Sequence, residues 1–401
     1  MKDITILTKD QRKAYEGFKT FLSSKKKFKT LAGYAGTGKT FLLDYFVEYA
    51  KTKRFKTIVT ATTNPAVAVL MGKVSDHDEF STIHSLLNIK PVKKGSKEIF
   101  KPDKYGDNDI TEYDLVIIDE CSMISMELLN IISEELQGAS TKVLFVGDPA
   151  QLQPINEKVS HSFKYEPLKL FEIVRHGDII ANQAKLVRNN KEFIYHRNLF
   201  KTPDVSVIVY EHMMDLFKGF KENPRKVRML TWTNDAVHYW NRIFRAVDWG
   251  FDPEVPFMEG DIVVANSPCE NHDRIIMNNF EEGVVQSVDE YEHYYKINVH
   301  KNIGHDVYLR VIKDNYIEEW KQSLKTYAKN KDWGNFWYWS KFYHDIRHCY
   351  ALTTHKAQGS SIENVIMDIY DMNQNYDIEN KNQLLYVAMT RAEKFVYFYE
   401  K

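Results

Sequence analysis

Gly33-Tyr34-Ala35-Gly36-Thr37-Gly38-Lys39-Thr40 is the stretch on which the fold turns. It fits the P-loop pattern: a glycine, four residues, then Gly-Lys and a hydroxyl residue. In such a loop glycines let backbone amides face inward around phosphate oxygens at a helix amino terminus, the lysine reaches the β and γ phosphates, and the hydroxyl can ligate Mg²⁺. The surroundings favour this over a chance glycine turn. The apolar-edged residues 28–32 make a strand before the loop, and residues 41–50 make a helix after it.

Outward from the loop, short β-branched runs at 57–61, 115–118, 143–146, 227–230, 365–369 and 395–399 alternate with helical patterns. That alternation predicts parallel sheets covered by helices. With 401 residues and 43% hydrophobic content, the chain can build two or more cores. Two stretches break the pattern. Residues 88–110, rich in Lys, Gly, Pro and Asp, read as a surface hairpin inserted in the first α/β unit. Residues 256–345 hold strand-like runs at 261–265, 283–288 and 294–299, then an aromatic helical patch, and read as an insertion in the second.

Composition narrows the function. Lys plus Arg total 54 against 55 Asp plus Glu, a net charge of -1, so any groove for nucleic acid must be basic locally. Cys121, Cys269 and Cys349 are far apart with no CxxC spacing, and are expected to be buried free thiols of a reducing cytosol rather than a zinc or redox site. The first ten residues lack the apolar core of a signal peptide, and no long uncharged apolar run follows, so neither secretion nor membrane spanning is expected.

Downstream of the loop, the apolar strand at 115–118 ends in Asp119-Glu120. One carboxylate can serve a metal ion and the other can orient a water. One strand later comes Gly147-Asp148-Pro149-Ala150-Gln151-Leu152-Gln153-Pro154. A P-loop alone leaves kinases, GTPases and transporters open; the three segments together point to a nucleotide-hydrolysing engine.

With Leu385-Tyr386-Val387-Ala388-Met389-Thr390-Arg391-Ala392 and Leu352-Thr353-Thr354-His355-Lys356-Ala357-Gln358-Gly359-Ser360 added, the chain resembles the superfamily 1 helicases, in their RecD and Dda branch, nearly end to end. The resemblance implies a DNA helicase that uses ATP and Mg²⁺ to translocate on single-stranded DNA, 5′ to 3′, separating duplex ahead of it. It implies an α/β fold with two RecA-like parallel-sheet domains. Residues 1–87 and 111–180 would form the first, with the hairpin 88–110 inserted. Residues 181–255 and 346–401 would form the second, with 256–345 inserted as a small SH3-like β domain bearing an aromatic arm.

The resemblance also implies roles. Gly33, Gly36, Thr37, Gly38, Lys39 and Thr40 would hold the nucleotide, with Thr40 and Asp119 on the metal. Gln11, near Thr8, would meet adenine, the competing roles being a surface amide and a helix cap. Glu120 would activate water and Gln151 sense the γ phosphate. Arg175 and Arg391, supplied by the second unit because only one P-loop is present, would stabilise the transferring phosphoryl group in a cleft between the units. For Arg175 a surface ion pair is the alternative.

Thr62, Thr63, Asn64, Thr82, His84, Thr233, Asn234, Thr353, His355, Lys356 and Gln358 match segments that hold the single strand in this family. Helix capping is the competing role for the threonines. Phe100, between lysines in the first insertion, would be a pin at the duplex junction, or else an anchor of its hairpin. The aromatics Trp333, Phe336, Trp337, Tyr338 and Trp339, followed by Phe342 and Tyr343, read as a packed cluster fastening the second insertion, with base stacking the alternative. Asn278-Asn279-Phe280-Glu281-Glu282-Gly283 departs from the tighter Asn-Asn-Gly turn of the family.

Expected partners are single-stranded DNA and fork junctions, with a single-strand-binding or replication protein as a further candidate and no membrane. A monomer working in the cytosol of a phage-infected bacterium is the setting implied. The rivals are a translocase that strips proteins from DNA without separating strands, and a non-catalytic DNA-binding module. Intact Lys39, Glu120 and Arg391 argue against the second.

Overall fold

The computed structural model describes residues 2–400 except 76, 78, 95–96, 104–105, 107–108, 155–156, 158, 175–178, 190–204, 209, 220–225, 249–254, 272–273 and 303. Contacts divide the chain into two units. The first holds Met1–Ser206, Ala357–Ser361 and Asn375–Val396; the second holds Val207–Lys356, Ile362–Gln374 and Tyr397–Lys401.

The first unit runs α1 (Lys9–Ser23), β1 (Phe28–Gly33), α2 (Lys39–Thr52), β2 (Thr57–Ala61), α3 (Asn64–Lys73), β3 (Phe80–Thr82) and α4 (Ile83–Leu86). The strands β4 (Ile89–Lys94) and β5 (Lys97–Pro102) follow, then β6 (Leu115–Asp119), α5 (Met126–Glu135), β7 (Lys142–Gly147), β8 (Leu168–Leu170) and α6 (Ile179–Asn189). Six strands form one sheet in the order β3-β2-β6-β7-β1-β8, with parallel pairing. Side chains on a strand alternate between faces, and β6 shows why this sheet reads as unbroken apolar runs. Leu115 and Ile117 join Phe18, Leu42 and Phe46 in one core. Val116 and Ile118 join Leu128, Ile132 and Phe145 in another. Both faces are covered, so the strand is apolar from Leu115 to Ile118 and turns polar only at its end, at Asp119. The strands β4 and β5 pair antiparallel as a separate two-stranded hairpin, with Pro91 opposite Phe100.

The remaining elements begin with β9 (Val205–Ile208), α7 (Tyr210–Gly219), β10 (Val227–Thr231) and α8 (Asn234–Ile243). Next come β11 (Ile262–Ala265), β12 (Cys269–Asn271), β13 (Arg274–Met277), β14 (Glu282–Glu290), β15 (Tyr294–Lys301), β16 (Asp306–Ile312), α9 (Ile317–Lys329), α10 (Trp333–Phe342) and β17 (Ile346–His348). The chain closes with β18 (Ala351–Thr353), β19 (Ile362–Asp368), α11 (Ile369–Asn373), α12 (Ile378–Arg391) and β20 (Ala392–Tyr399). A second sheet has the order β18-β10-β19-β20-β9, with β10 parallel to both β18 and β19. Between β10 and β18 in sequence lies an antiparallel sheet, β16-β15-β14-β11-β17, closed on a core that includes Phe257, Val263, Val285, Ile297, Val299 and Leu309. Two parallel-sheet α/β domains, a β-hairpin insertion and a small β-domain insertion are thus the architecture, as the sequence led us to expect.

The aromatic patch divides its labour. Trp320 Nε1 donates to the Trp339 carbonyl at 3.0 Å, and Trp339, Phe342, Tyr343 and Tyr294 pack ring on ring, which fastens the arm. Trp333, Trp337 and Tyr338 are instead exposed. All three cysteines are buried and free.

A buried charge joins the inserted β domain to the sheet that carries it. Asp261, at the entry to β11, accepts from Arg245 Nε at 2.9 Å, from Tyr350 Oη at 3.0 Å and from the Met258 amide at 2.7 Å. Arg245 follows α8 and Tyr350 precedes β18, so one carboxylate ties both ends of the insertion. Removing one partner of a buried pair strands the other, at a cost of about 3–5 kcal/mol. Asp261→Ala should lose stability of that order in urea denaturation, and a loss under about 1 kcal/mol would refute the clamp.

Candidate active site

The P-loop joins the carboxyl end of β1 to the amino end of α2, and its glycines have specific work. Gly36 and Gly38 take φ of 78° and 77°, a left-handed backbone that side chains resist. A Cβ on Gly38 would lie 2.5 Å from Gln11 Nε2. Gly38 is also the N-cap of α2 and offers no side-chain cap, leaving first-turn amides to an anion. Lys39 Nζ donates to the carbonyls of Gly33 and Tyr34 at 2.8 and 3.1 Å, folded back on its own loop.

Gln11 turns out to be buried, 1% exposed, and not a surface amide. Thr8 and Gln11 form a reciprocal capping box at the start of α1, and Gln11 Nε2 also donates to the Thr37 carbonyl at 3.1 Å. Both ends of the amide are committed within the chain, so an adenine contact would exchange one of these bonds. Thr37, likewise buried, donates to the Tyr34 carbonyl at 2.7 Å.

The carboxyl end of β6 delivers the acidic pair. Asp119 is 9% exposed and accepts from the Glu120 amide at 2.9 Å. Glu120 has φ of 53°, an uncommon conformation for a residue with a side chain, and that turn swings its carboxylate away from the strand direction. Burial first, and the neighbouring Glu120 carboxylate second, hold the Asp119 carboxyl above its usual range, while Lys39 and Arg391 oppose the shift. This is a pair short of positive charge.

Arg391, the last residue of α12, supplies part of it. Its Nη1 lies 3.6 Å from Glu120 Oε1 and 3.3 Å from the Ser360 carbonyl, and the side chain is 8% exposed. Its Nε is buried with no partner. Gln151 sits between the two charges. With its amide oriented to satisfy both neighbours, it donates to Glu120 Oε2 at 2.7 Å and accepts from Arg391 Nη2 at 3.3 Å. Gln358, 1% exposed, brings its amide to 3.1 Å from that of Gln151 and 3.3 Å from Ser122 Oγ. The structure therefore gathers Lys39, Asp119, Glu120, Gln151, Gln358 and Arg391 within the first unit's contacts. Arg391 was expected from the second unit; contact grouping places Asn375–Val396 with the first. Arg175 lies outside the described residues, as do the side chains around Phe100.

Three residues of this region went unread in the sequence. Tyr386 Oη donates to Asp148 Oδ2 at 2.6 Å and accepts from the Ala35 amide at 3.0 Å, bridging α12 to the P-loop. Asp148 follows β7 directly, a polar residue at a strand's end, which is the signal that was available. Arg188 of α6 stacks its guanidinium 3.6 Å over the Tyr34 ring, and nothing in the spacing announces it.

Several threonines assigned to strand holding are helix caps. Thr63, Thr82 and Thr233 accept from the amides of Ala66, Ser85 and Ala236 at the starts of α3, α4 and α8. Thr62 Oγ1 donates to Met123 Sδ. Asn64 opens α3 and His84 lies in α4, partly buried, which lowers its pKa. Thr233 also donates to Asp371, whose carboxylate accepts from the Trp232 and Thr233 amides as well, an organising role missed in the sequence. Asn234 and His355 are exposed, Thr353 is buried at the end of β18, and Lys356 Nζ donates to Asn266. Gly359, at φ 83°, passes so near α3 that a Cβ would lie 2.8 Å from the Ala66 Cβ. In the second unit a cavity of ≈ 780 Å³, lined by Asn234, Arg242, Phe280, Trp320, Arg347 and Lys356 among others, is remote from the P-loop in sequence.

Comparison with known proteins agrees with this arrangement. An AAA domain family matches residues 6–193, and a UvrD-like helicase C-terminal domain family matches residues 348–399. The ATP-dependent DNA helicase Dda of Enterobacteria phage T4 is 25% identical over 98% of this chain and 99% of its own. The ATP-dependent DNA helicase Pif1 of Campylobacter jejuni is 25% identical over 90% and 86%. A crystal structure of Pif1 helicase from Bacteroides in complex with ADP-AlF3 and single-stranded DNA superposes with a TM-score of 0.58 at 18% identity, covering 98% and 92%. No helix among the described residues is long and apolar enough to cross a membrane. From P-loop to terminal arginine, the chain is similar over nearly its whole length to superfamily 1 helicases of the Dda and Pif1 kind.

Proposed function

We propose that this chain hydrolyses ATP to move along single-stranded DNA, 5′ to 3′, and to part duplex in front of it. The observation that carries the reading is the buried meeting of Arg391 with Glu120 across Gln151. An arginine cannot give up its charge, so burying it is costly unless anions face it. Here the anion nearest is the carboxylate that would take a proton from the attacking water, and the donor left over, Arg391 Nε, is free for a phosphoryl oxygen.

The steps assigned to this chain follow from the geometry. The first-turn amides of α2 and Lys39 hold the phosphates, Lys39 exchanging its carbonyl partners for phosphate oxygens. Among the described residues no three His, Cys, Asp or Glu side chains gather to hold a metal alone. A magnesium ion needs only one or two carboxylates beside the substrate's phosphates, and the under-compensated Asp119 with Thr40 fits that need. Bound there, Mg²⁺ would neutralise charge on the phosphate oxygens. Glu120 orients and deprotonates water, Arg391 steadies the charge that develops on the transferring group, and Arg175 is assigned the partner role. Gln151 and Gln358 connect this chemistry to the loop that follows Thr353 and carries His355.

Thr62, Thr63, Asn64, Thr82, His84, Thr233, Asn234, Thr353 and His355 would line the strand's path. A capping threonine keeps this option where its hydroxyl proton is unspent, because the cap uses only lone pairs; Thr233, which donates to Asp371, would exchange that bond. Contacts of that kind hold DNA without reading its sequence. We assign the domains to residues 1–87 with 111–180, 88–110, 181–255 with 346–401, and 256–345. A monomer acting at fork junctions in the cytosol of an infected bacterium, beside a replication or single-strand-binding protein, completes the reading.

Duplexes with a single-stranded tail at one end or the other test activity and direction together. Opening of the 5′-tailed substrate is expected; protein displacement without strand separation would replace helicase by translocase. Glu120→Gln should bind ATP and lose ~10²–10⁴ in DNA-stimulated turnover, and near-normal turnover would remove Glu120 from its role. Phe100→Ala should spare that ATPase and slow strand separation, since stacking one base on an aromatic ring, ~1–3 kcal/mol, is comparable to the ~1.4 kcal/mol of a base-pair step. Unchanged unwinding would deny the pin.

A further inference from the structure

We propose that Lys356 is a positioning residue that latches the loop between β18 and β19 onto the inserted β domain through Asn266 and Phe280, so that domain and loop move as one body. The inference rests on the helicase reading above and assigns Lys356 a task other than phosphate contact.

Lys356 Nζ donates to Asn266 Oδ1 at 2.7 Å. Asn266 in turn donates through Nδ2 to Asp345 Oδ2 at 2.7 Å and through its amide to the Asp345 carbonyl at 2.8 Å. Asn266 follows β11 and Asp345 precedes β17, so the lysine grips the place where one strand leaves the small sheet and its neighbour enters it. Arg347 Nε donates to Asp345 Oδ1 at 3.1 Å, fixing the same carboxylate from the other side.

Phe280 supplies the second, independent observation. Its φ is 61°, a left-handed backbone that a residue with a side chain resists. The turn itself is well bonded: the Phe280 amide donates to the Ala265 carbonyl at 2.8 Å, and Glu281 accepts from the Asn278 amide at 2.7 Å. Glycine would make the same backbone bonds without the strain, so the side chain here is a cost that its contacts must offset. That ring stands 5.8 Å from Lys356 Nζ, within cation–π range. Loss of water from the half-buried ammonium lowers its pKa, in keeping with a group docked on protein and not projecting to solvent.

Along the chain the latch has a short lever. Two residues beyond Lys356, Gln358 meets Gln151, the amide between Glu120 and Arg391. A shift of the loop between these anchors would be passed to the inserted domain by Lys356.

Phe280→Gly is the decisive variant, because it relieves backbone strain while deleting the ring. A merely structural phenylalanine predicts unchanged unwinding per ATP. The latch predicts a thermal midpoint equal to or above wild type, intact DNA-stimulated ATPase, and base pairs opened per ATP reduced about two- to fivefold, the worth of one exposed cation–π contact. Lys356→Met and Asn266→Ala should each reduce the same ratio, and the double variant should do no worse than either alone. The salt dependence of single-strand binding should be unaltered in Lys356→Met, whereas loss of a phosphate contact makes the slope shallower by about one. Additive effects or that shallower slope, in a chain whose wild type unwinds, overturn the latch alone. A wild type that never unwinds overturns the helicase reading and the latch with it.

Discussion

A guanidinium with almost no access to water governs the active site. Arg391 is 8% exposed, and a group that keeps its charge at every physiological pH must be met by anions or dipoles where it lies. Glu120, the Ser360 carbonyl and the Gln151 amide meet it. The contact to Glu120, at 3.6 Å, is long for a charge-assisted hydrogen bond. A tight bidentate pair would saturate both groups and leave Glu120 unable to serve as a base. The loose pair, with Nε unspent, leaves a carboxylate able to accept a proton beside a charged donor able to meet an anion.

Placement of these groups follows from how the sheets are buried. The strands β2 and β6 are buried at every position, and β7 at all but its first, so a polar side chain along them must find its partner inside, as Thr60 does on the Ile117 carbonyl. Candidate chemistry gathers at the carboxyl ends: Gly33 closing β1, Thr62 after β2, Asp119 closing β6, Asp148 after β7. Open α/β sheets bind ligands at that edge for the same reason. The helices that follow begin there too, which is why Gly38, Thr63 and Thr82 are both helix starts and candidate ligand contacts. Capping and binding are therefore one local solution and not competing explanations.

This logic explains what the sequence disclosed. The P-loop, Asp119-Glu120 and the strand runs were legible because each is local: a backbone turn, a strand end, a period of two. The burial of Gln11 was not, since the residue must be seen against Gly38, 27 positions away in sequence. Tyr386 escaped for a similar reason; its partners Asp148 and Ala35 are 238 and 351 positions distant. Contact order of that kind leaves no periodic trace. The aromatic arm was half legible, because an aromatic run states how much surface is available and not which rings find neighbours. Trp339 and Phe342 pack into the cluster, while Trp333 and Trp337 meet Phe336 edge-on and stay exposed.

The inserted β domain is held by two junctions that differ in kind, and the difference has a mechanical meaning. At Asp261 the charges are sealed from solvent, with Arg245 3% exposed and Asp261 fully buried. Such a pair cannot part without leaving an unpaired buried ion, so it acts as a fixed root. At Lys356 the ammonium is only partly buried and its partner is a neutral amide. Contacts of that exposure are worth little individually and are readily remade. A domain rooted at one point and held lightly at another has a defined pivot and one adjustable contact. The adjustable contact lies two residues along the chain from Gln358, whose amide meets that of Gln151, whereas the fixed root at Asp261 is bonded to residues of its own unit.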